Sequence, residues 1–459
     1  MKIKGIRALV LGAGVSGRSA ARFLAQKGAR VVVADDAVAL PPERGSLEAL
    51  GVAFVAGGLE KAGLEFELAV LSPGISAFDE RVRALIAAGV ETIGEVELAS
   101  RFISAPIIGI TGTNGKTTVT HLVERQLKAA GKKVFAGGNV GTPLIEAVGG
   151  DWEVVVAEIS SFQLELAPTF RPKVAVWLNL TGDHLDRHGD LEGYAEAKAA
   201  LLVNQREDDF AVLNRDDPLV WSFAKKTSGC VLPFSLEGAL GVGGWQEGEE
   251  AVVLMPGTDG VRIPLSPMKL GGAFNRANAL AATLAVTALG VSPGEAWEAA
   301  RTFEGLAHRN EEFLQWRGIH FVDDSKATNV DAAVKAVEAA AGRVVWLGGG
   351  VDKGAQYEPL KEALSRKARL VVAVGEGAAR MARELEGAAP MRRPAVWPAA
   401  VKIAIGEAER GDTVLLSPAA ASFDFFKSYS ERGEIFQLLC REETARIDGE
   451  GSDMTQTER

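Results

Sequence analysis

Runs of β-branched apolar residues alternate with alanine-rich amphipathic stretches along this chain, and the alternation restarts three times. Strands covered on both faces by crossover helices read as unbroken apolar runs, so the pattern predicts βαβ units and mainly parallel sheets. The first block opens with IRALVLG, passes through GRSAARFLAQKG, returns as ARVVVADD and continues through LAVLSPG to about Ile103. The second holds PIIGITGTNGKTT, EVVVAEISS, KVAVWLNLT and FAVLNRDD. Short alternating runs between residues 235 and 270 predict β-hairpins at an edge of its sheet, and the helical NRANALAATLAVTALG is expected to pack back on that sheet. The third block starts near Glu304 and carries HFVDDS, RVVWLGGG, RLVVAVGEG and DTVLLSPAAAS. A chain of 459 residues outgrows a single core, so three α/β domains are expected, at 1–103, 104–305 and 306–459, with a polar tail frayed from about residue 448.

Two glycine-rich turns sit between a strand and a helix. Gly12, Gly14 and Gly17 form GxGxxG, and Asp35 ends the following strand where a ribose would lie; the turn lets a diphosphate approach backbone N–H groups at a helix start. This makes the first domain Rossmann-like, and taken alone it would favour an NAD-dependent oxidoreductase, although the fingerprint itself marks only a diphosphate-containing nucleotide. The second turn, Gly112-Thr113-Asn114-Gly115-Lys116-Thr117-Thr118, follows P-loop logic although a strict Walker A would place glycine at Ile110. Lys116 is suited to the β- and γ-phosphates and Thr117 to Mg²⁺. The central domain is therefore P-loop ATPase-like.

Further candidates stand at strand ends, where open α/β sheets place ligand groups. Glu158 closes EVVVAE and His184 follows VAVWLNL, so with Thr117 they mark one phosphate-binding edge. In the third block Arg309, Asp324, Ser325, Lys326, Thr328 and Lys353 crowd into loops. Lys198 in YAEAKAALL reads locally as part of a solvated helix face.

Composition removes several classes. A formal charge of −10 gives no basic footprint for nucleic acid, and no apolar run approaches the ~18 residues that span a bilayer. The opening MKIKGIRALV lacks a secretory signal pattern, so a cytoplasmic protein is expected. Cys230 and Cys440 are too few for a disulfide framework or a four-thiolate zinc site. Small-molecule partners and a monomer are the expectation.

With AEISSFQLE, NLTGDHLDRHG, DDSKATN and SPAAASFDFFKSYSERG beside both turns, the chain resembles the Mur ligase family over nearly its whole length. Within that family it is most similar to members that add D-glutamate to UDP-N-acetylmuramoyl-L-alanine in cytoplasmic peptidoglycan precursor synthesis. The resemblance implies an ATP- and Mg²⁺-dependent ligase, with Mn²⁺ as an alternative, acting through an acyl phosphate. It implies UDP-substrate contacts from Val15, Ser16, Asp35, Ser72, Gly74 and Asn139, and nucleotide contacts from the loop Gly112–Thr118 with Asn275, Asn278, Arg309 and Asp324. Lys116, His184 and Lys198 would be catalytic; Thr117, Glu158, His184 and a carbamylated Lys198 would serve the metal. Lys326, Thr328, Lys353, Ser422, Phe423 and Tyr429 would hold D-glutamate. The family's arginine after the second strand is replaced by Ala37, which leaves one phosphate contact to another basic residue. The competing readings are another amino-acid-adding relative, which the absence of an Asp-Asn-Pro-Arg run disfavours, the oxidoreductase, and a nucleotide-binding regulatory module.

Overall fold

A computed structural model describes the chain except residues 39–42, 184, 266, 352–353 and 458–459; side chains are also left aside at 59, 185–186 and 450–457. The fold is α/β with mainly parallel sheets in three domains, grouped into two compact units, Met1–Phe303 and Glu304–Arg459.

In the first unit, β1 (Arg7–Leu11), β2 (Arg30–Asp35), β3 (Ala53–Ala56), β4 (Leu68–Leu71) and β5 (Glu91–Gly94) form a parallel sheet in the order β3-β2-β1-β4-β5. The order reverses between β1 and β4, which opens a crevice beyond their carboxyl ends. A nine-stranded sheet follows, from β6 (Ile107–Thr111), β7 (Val134–Gly138), β8 (Val154–Glu158), β9 (Val174–Trp177), β10 (Phe210–Asn214), β11 (Cys230–Ser235), β12 (Gly243–Glu247), β13 (Glu250–Leu254) and β14 (Val261–Pro264). Its order, β14-β13-β12-β11-β10-β9-β6-β8-β7, puts the antiparallel β12–β14 at one edge, as the alternating runs predict. The β7 strand, VFAGG, is absent from the sequence reading because its glycines blur the apolar run.

Every residue of β6, β8 and β9 is buried, because the helices Lys116–Ala129 and Leu191–Val203 pack near them. One apolar cluster continues from the first sheet into the second through Val96, Leu98, Leu144 and Ile145, which explains why both sheets belong to one unit. The predicted helix after the hairpins runs Ala273–Thr287 and packs on β10–β12.

The second unit has β15 (Glu311–Trp316), β16 (Ile319–Asp323), β17 (Val344–Gly348), β18 (Ala368–Ala373), β19 (Met391–Arg392) and β20 (Thr413–Leu416), in the order β15-β16-β20-β17-β18-β19 with only β15 antiparallel. Its last helix spans Tyr429–Thr457. Asp448, where the frayed tail was expected to begin, is tied to Trp316 Nε1 at 2.9 Å and Arg317 Nη2 at 2.6 Å. The side chains beyond Gly449 lie outside the described residues. Among the described residues, no helix is long and apolar enough to cross a membrane.

Candidate functional site

The central β6 runs into the turn Gly112–Gly115, and the helix Lys116–Ala129 begins at once. Gly115 has φ +88°, and a Cβ there would stand 2.7 Å from Asn278 Oδ1, so the turn requires glycine. The loop after the neighbouring β9 braces it. Thr113 and Asn114 donate their backbone N–H groups to Asn179 O at 3.1 Å and Asn179 Oδ1 at 2.9 Å, and Thr181 N–H donates to Thr113 Oγ1 at 3.0 Å. Gly115, at the N-cap, has no side chain to accept from the first helical N–H groups, and a helix start of this kind is where anions dock. Lys116 Nζ curls back to donate to Gly112 O and Thr113 O, each at 2.8 Å. Thr117 and Thr118 are buried in the first turn. Asn278 is buried beside the loop, with Asn275 three residues earlier on the same helix.

Charges gather on the inner side of this loop. Glu158 ends β8 in register with Ile110 of β6 and is 2% exposed. Its Oε1 accepts from Asn139 Nδ2 at 2.9 Å, while its buried Oε2 has no hydrogen-bond partner among the described residues. Asn139, expected at the UDP-substrate, is thus tied to the candidate metal carboxylate. Lys198 is 1% exposed, which corrects its local reading as a solvated residue. The helix Leu191–Val203 buries Tyr194, Ala195, Ala199, Leu201 and Leu202 on several sides and carries the lysine inward with them. Its Nζ donates to Gly112 O at 3.0 Å and lies 4.5 Å from the Tyr194 ring centroid. Two lysine amines therefore share one carbonyl oxygen. Burial, then the charge of Lys116, holds Lys198 well below the ordinary lysine range, with Asp183 and Glu158 opposing.

A cavity of about 380 Å³ opens at the crevice of the first sheet, lined by Val15, Ser16, Asp35, Ser72 and Gly74 among others. Gly17 permits this turn because a Cβ there would fall 1.9 Å from Gly12 O. Asp35 accepts from Ala13 N–H at 2.6 Å and Ala37 N–H at 2.8 Å, so its carboxylate shapes the turn as well as facing the cavity. Arg81 approaches the place of the missing arginine through Asp36 at 2.8 Å, but Asp79 at 2.7 Å and Glu60 at 3.9 Å already surround its charge.

In the second unit, the loops after β16, β17 and β20 are knitted together. Val351 and Ala421 form a backbone bridge, and Ala419 N–H donates to Ala327 O at 2.9 Å. Lys326 Nζ lies 4.0 Å from the Tyr429 ring centroid, Thr328 follows it, Ser422 is buried and Phe423 is 72% exposed. Asp324 accepts from Asn310 N–H and Ser417 Oγ, each at 3.1 Å; enclosure of its carboxyl pushes it up to about 7, against those bonds and the charge of Arg309. His184 and Lys353 lie outside the described residues.

Sequence reasoning passed over three side chains. Arg187 and His188 lie within the TGDHLDRHG run already singled out, and only their burial against Phe162, Glu165 and Tyr194 marks them. Arg432, 1% exposed, donates to Ser325 Oγ at 2.9 Å, Ser325 O at 2.8 Å, Gly349 O at 3.3 Å and Ala420 O at 3.2 Å, so it pins all three loops. Burial lowers it to about 10. The helical spacing after Tyr429 carries no signal for that role.

Known proteins share this arrangement. The Mur ligase MurD-like N-terminal domain matches residues 6–94, the Mur ligase middle domain 110–286, and the Mur ligase glutamate ligase domain 308–420. The UDP-N-acetylmuramoylalanine--D-glutamate ligase of Pelotomaculum thermopropionicum is 43% identical over 441 residues, covering 94% of this chain and 97% of its own. The ligase of the same name from Trichlorobacter lovleyi is 41% identical, covering 95% and 98%. MurF ligase from Thermotoga maritima, solved in complex with ADP, superposes with a TM-score of 0.60 at 18% identity over 97% of this chain and 96% of that one, a likeness of fold.

Proposed function

The chain belongs to the Mur ligase family, and from that premise we propose that it joins D-glutamate to UDP-N-acetylmuramoyl-L-alanine at the expense of ATP, in peptidoglycan precursor synthesis. The observation that carries this is the phosphate loop with Lys116 at its helix start, flanked on adjacent strands by the half-satisfied Glu158. In the reaction, a carboxylate oxygen of the alanyl group attacks the γ-phosphorus, the bond to the β-phosphate oxygen breaks, and ADP leaves. The amine of D-glutamate then attacks the acyl carbon, loses a proton, and expels inorganic phosphate as the amide forms. Lys116 neutralises charge on the phosphoryl oxygens, and the helix start behind Gly115 orients them.

The donor set fits a divalent cation. Glu158 offers a buried carboxylate oxygen with no partner among the described residues, and the Thr117 hydroxyl lies in the first turn of the loop helix. We assign Mg²⁺, or Mn²⁺, to these groups with His184; it supplies Lewis-acid neutralisation of phosphate charge when bound. An ammonium at Lys198 would repel it. Burial, which holds the Lys198 amine well below the ordinary lysine range, favours the unprotonated form that attacks CO₂, and its carbamate would present an anionic oxygen on the same side of the loop as Gly112 O, so we propose that Lys198 is carbamylated.

The pocket residues Val15, Ser16, Asp35, Ser72 and Gly74 are assigned to the UDP-sugar. Asn139 is assigned to orienting Glu158, and through it the adjoining substrate. Asn275 and Asn278, with Arg309 and Asp324, are assigned to the nucleotide. Lys326, Thr328, Lys353, Ser422, Phe423 and Tyr429 are assigned to D-glutamate. The domains are placed at 1–103, 104–305 and 306–459, in a cytoplasmic monomer. Phosphate release measured with UDP-N-acetylmuramoyl-L-alanine plus D-glutamate, L-glutamate or a diamino acid tests the proposal. Turnover should require D-glutamate; equal release with a diamino acid would reassign the chain to another member of the family.

A further inference from the structure

Arg187 belongs to the four-residue helix Leu185–His188, directly after His184 in sequence, yet its guanidinium points away from solvent toward the first sheet. Nε and Nη2 form a two-pronged pair with Glu165, at 3.1 Å to Oε1 and 2.8 Å to Oε2. The remaining donors reach backbone carbonyls, Nη1 to Pro73 O at 3.1 Å and Nη2 to Ile75 O at 3.2 Å. The plane lies 3.9 Å from the Phe162 ring centroid, and the side chains of Arg187 and Glu165 are 13% and 6% exposed.

The two carbonyls bracket Gly74, and Pro73, Gly74 and Ile75 are one wall of the 380 Å³ cavity. On its other side the guanidinium is clamped to the segment that follows Glu158. The next residue, His188, hydrogen-bonds Ser161 Oγ through Nε2 at 3.0 Å and stands between the Phe162 ring at 5.6 Å and the Tyr194 ring at 5.1 Å. Lys198 Nζ lies against the far side of this stack, 4.5 Å from Tyr194. A packed path thus leads from the cavity wall to the buried lysine at the phosphate loop.

We infer that Arg187 is a positioning residue that fixes the UDP-substrate pocket in register with the phosphoryl-transfer centre, because its one guanidinium, carried by the loop after β9, is bonded both to the cavity wall and to the segment after β8. A planar five-donor fork can hold a carboxylate and two carbonyls together; an ammonium cannot reproduce that geometry. A small displacement of a carboxylate from an attacking position costs rate steeply, so the register matters more than the charge. This inference deepens the reading of the chain as a UDP-substrate ligase and rests on it.

The test compares Arg187→Lys and Glu165→Gln with the natural enzyme, reading KM for UDP-N-acetylmuramoyl-L-alanine, KM for ATP, the affinity for UDP alone by calorimetry, and the melting temperature. The Lys variant should raise KM for the UDP-substrate by about 10-fold or more and lower kcat, with KM for ATP within about two-fold. Glu165→Gln, which loosens the clamp while keeping the arginine, should move the same two parameters less, and both variants should weaken UDP. Unchanged UDP-substrate kinetics in both variants would overturn the inference. So would parallel weakening of both substrates with a lower melting temperature, the mark of a merely structural residue. Absence of D-glutamate-dependent turnover in the natural enzyme would instead refute the ligase reading itself.

Discussion

The two compact units bury their charges in opposite ways. At the phosphate loop of the first, Lys116 and Lys198 both donate to Gly112 O, and Glu158 keeps one enclosed oxygen without a partner among the described residues. In the second, Asp323 is wholly buried but complete. His308 Nδ1 lies 2.7 Å from its Oδ2, Gln437 Nε2 donates to the same oxygen at 2.9 Å, and Ser325 N–H donates to Oδ1 at 2.9 Å. Glu311 joins by accepting from His308 N–H at 2.8 Å. The ligand atoms of His308, Glu311 and Asp323 lie within 4.8 Å of one another, so residue type alone would suggest a cation site. Their bonding does not: a saturated network rigidifies a fold, whereas repulsion and an idle buried oxygen are tolerated where a ligand completes the set.

The strongest way to break this contrast is at Lys116. Lys116→Ala should lower D-glutamate-dependent phosphate release by ~10³-fold or more, since a preorganised cation on a transferring phosphoryl group has no substitute here. Turnover within a few-fold of the natural enzyme would show that the crowded loop is scaffold as well. Lys198 comes next. Lys198→Ala should lose about 100-fold. The natural enzyme depleted of CO₂ should lose activity and regain it on adding bicarbonate, with no such response in the variant. A bicarbonate-indifferent natural enzyme would remove the carbamate while leaving the burial of the lysine unexplained.

Legibility in the sequence follows the same divide. The apolar runs of β6, β8 and β9 announce themselves because parallel strands are buried on both faces, and the strand ends then point to Thr117 and Glu158. Lys198 was visible only through resemblance, because one lysine among alanines is what a solvated helix also shows; its depth depends on how the whole helix is packed. Arg187 and Arg432 act through backbone carbonyls of distant loops, 112 to 114 residues away for Arg187. Carbonyl acceptors carry no residue identity, so no spacing rule could have matched either arginine to its partners.

Glu95 sharpens the comparison, because it also keeps a buried oxygen, Oε2, without a partner among the described residues, away from any phosphate loop. Its Oε1 accepts from Ile145 N–H at 2.6 Å, joining the end of β5 to the second sheet. Burial lifts its carboxyl from 4.5 to about 7, with the Ile145 bond opposing. Between those values the folded state holds a proton that the unfolded chain has released, so stability falls as pH rises through the window and levels off above about 7. Glu95→Gln should flatten that slope and leave the variant more stable at pH 8 by about 3 kcal/mol. Urea unfolding at pH 5 and pH 8 checks this. Identical slopes in both proteins would mean that the idle oxygen of Glu95 is not what separates its two protonation states.

The smallest effect expected tests the saturated side directly. Asp323→Asn keeps the size of the side chain and removes the charge that His308, Gln437 and Ser325 converge on. Charge-assisted bonds become neutral ones and one amide hydrogen faces a donor, for a loss of about 2 kcal/mol. Lys116→Ala, by contrast, removes a charge that disfavours protonation of the buried Lys198 and should leave the unfolding midpoint unchanged or slightly raised. A loss in one variant and none in the other, within one denaturation experiment, follows from a ligand-completed cluster beside a self-completed one. A neutral Asp323→Asn paired with a strongly destabilising Lys116→Ala would reverse the assignment, making the second cluster the one whose charges wait for a partner.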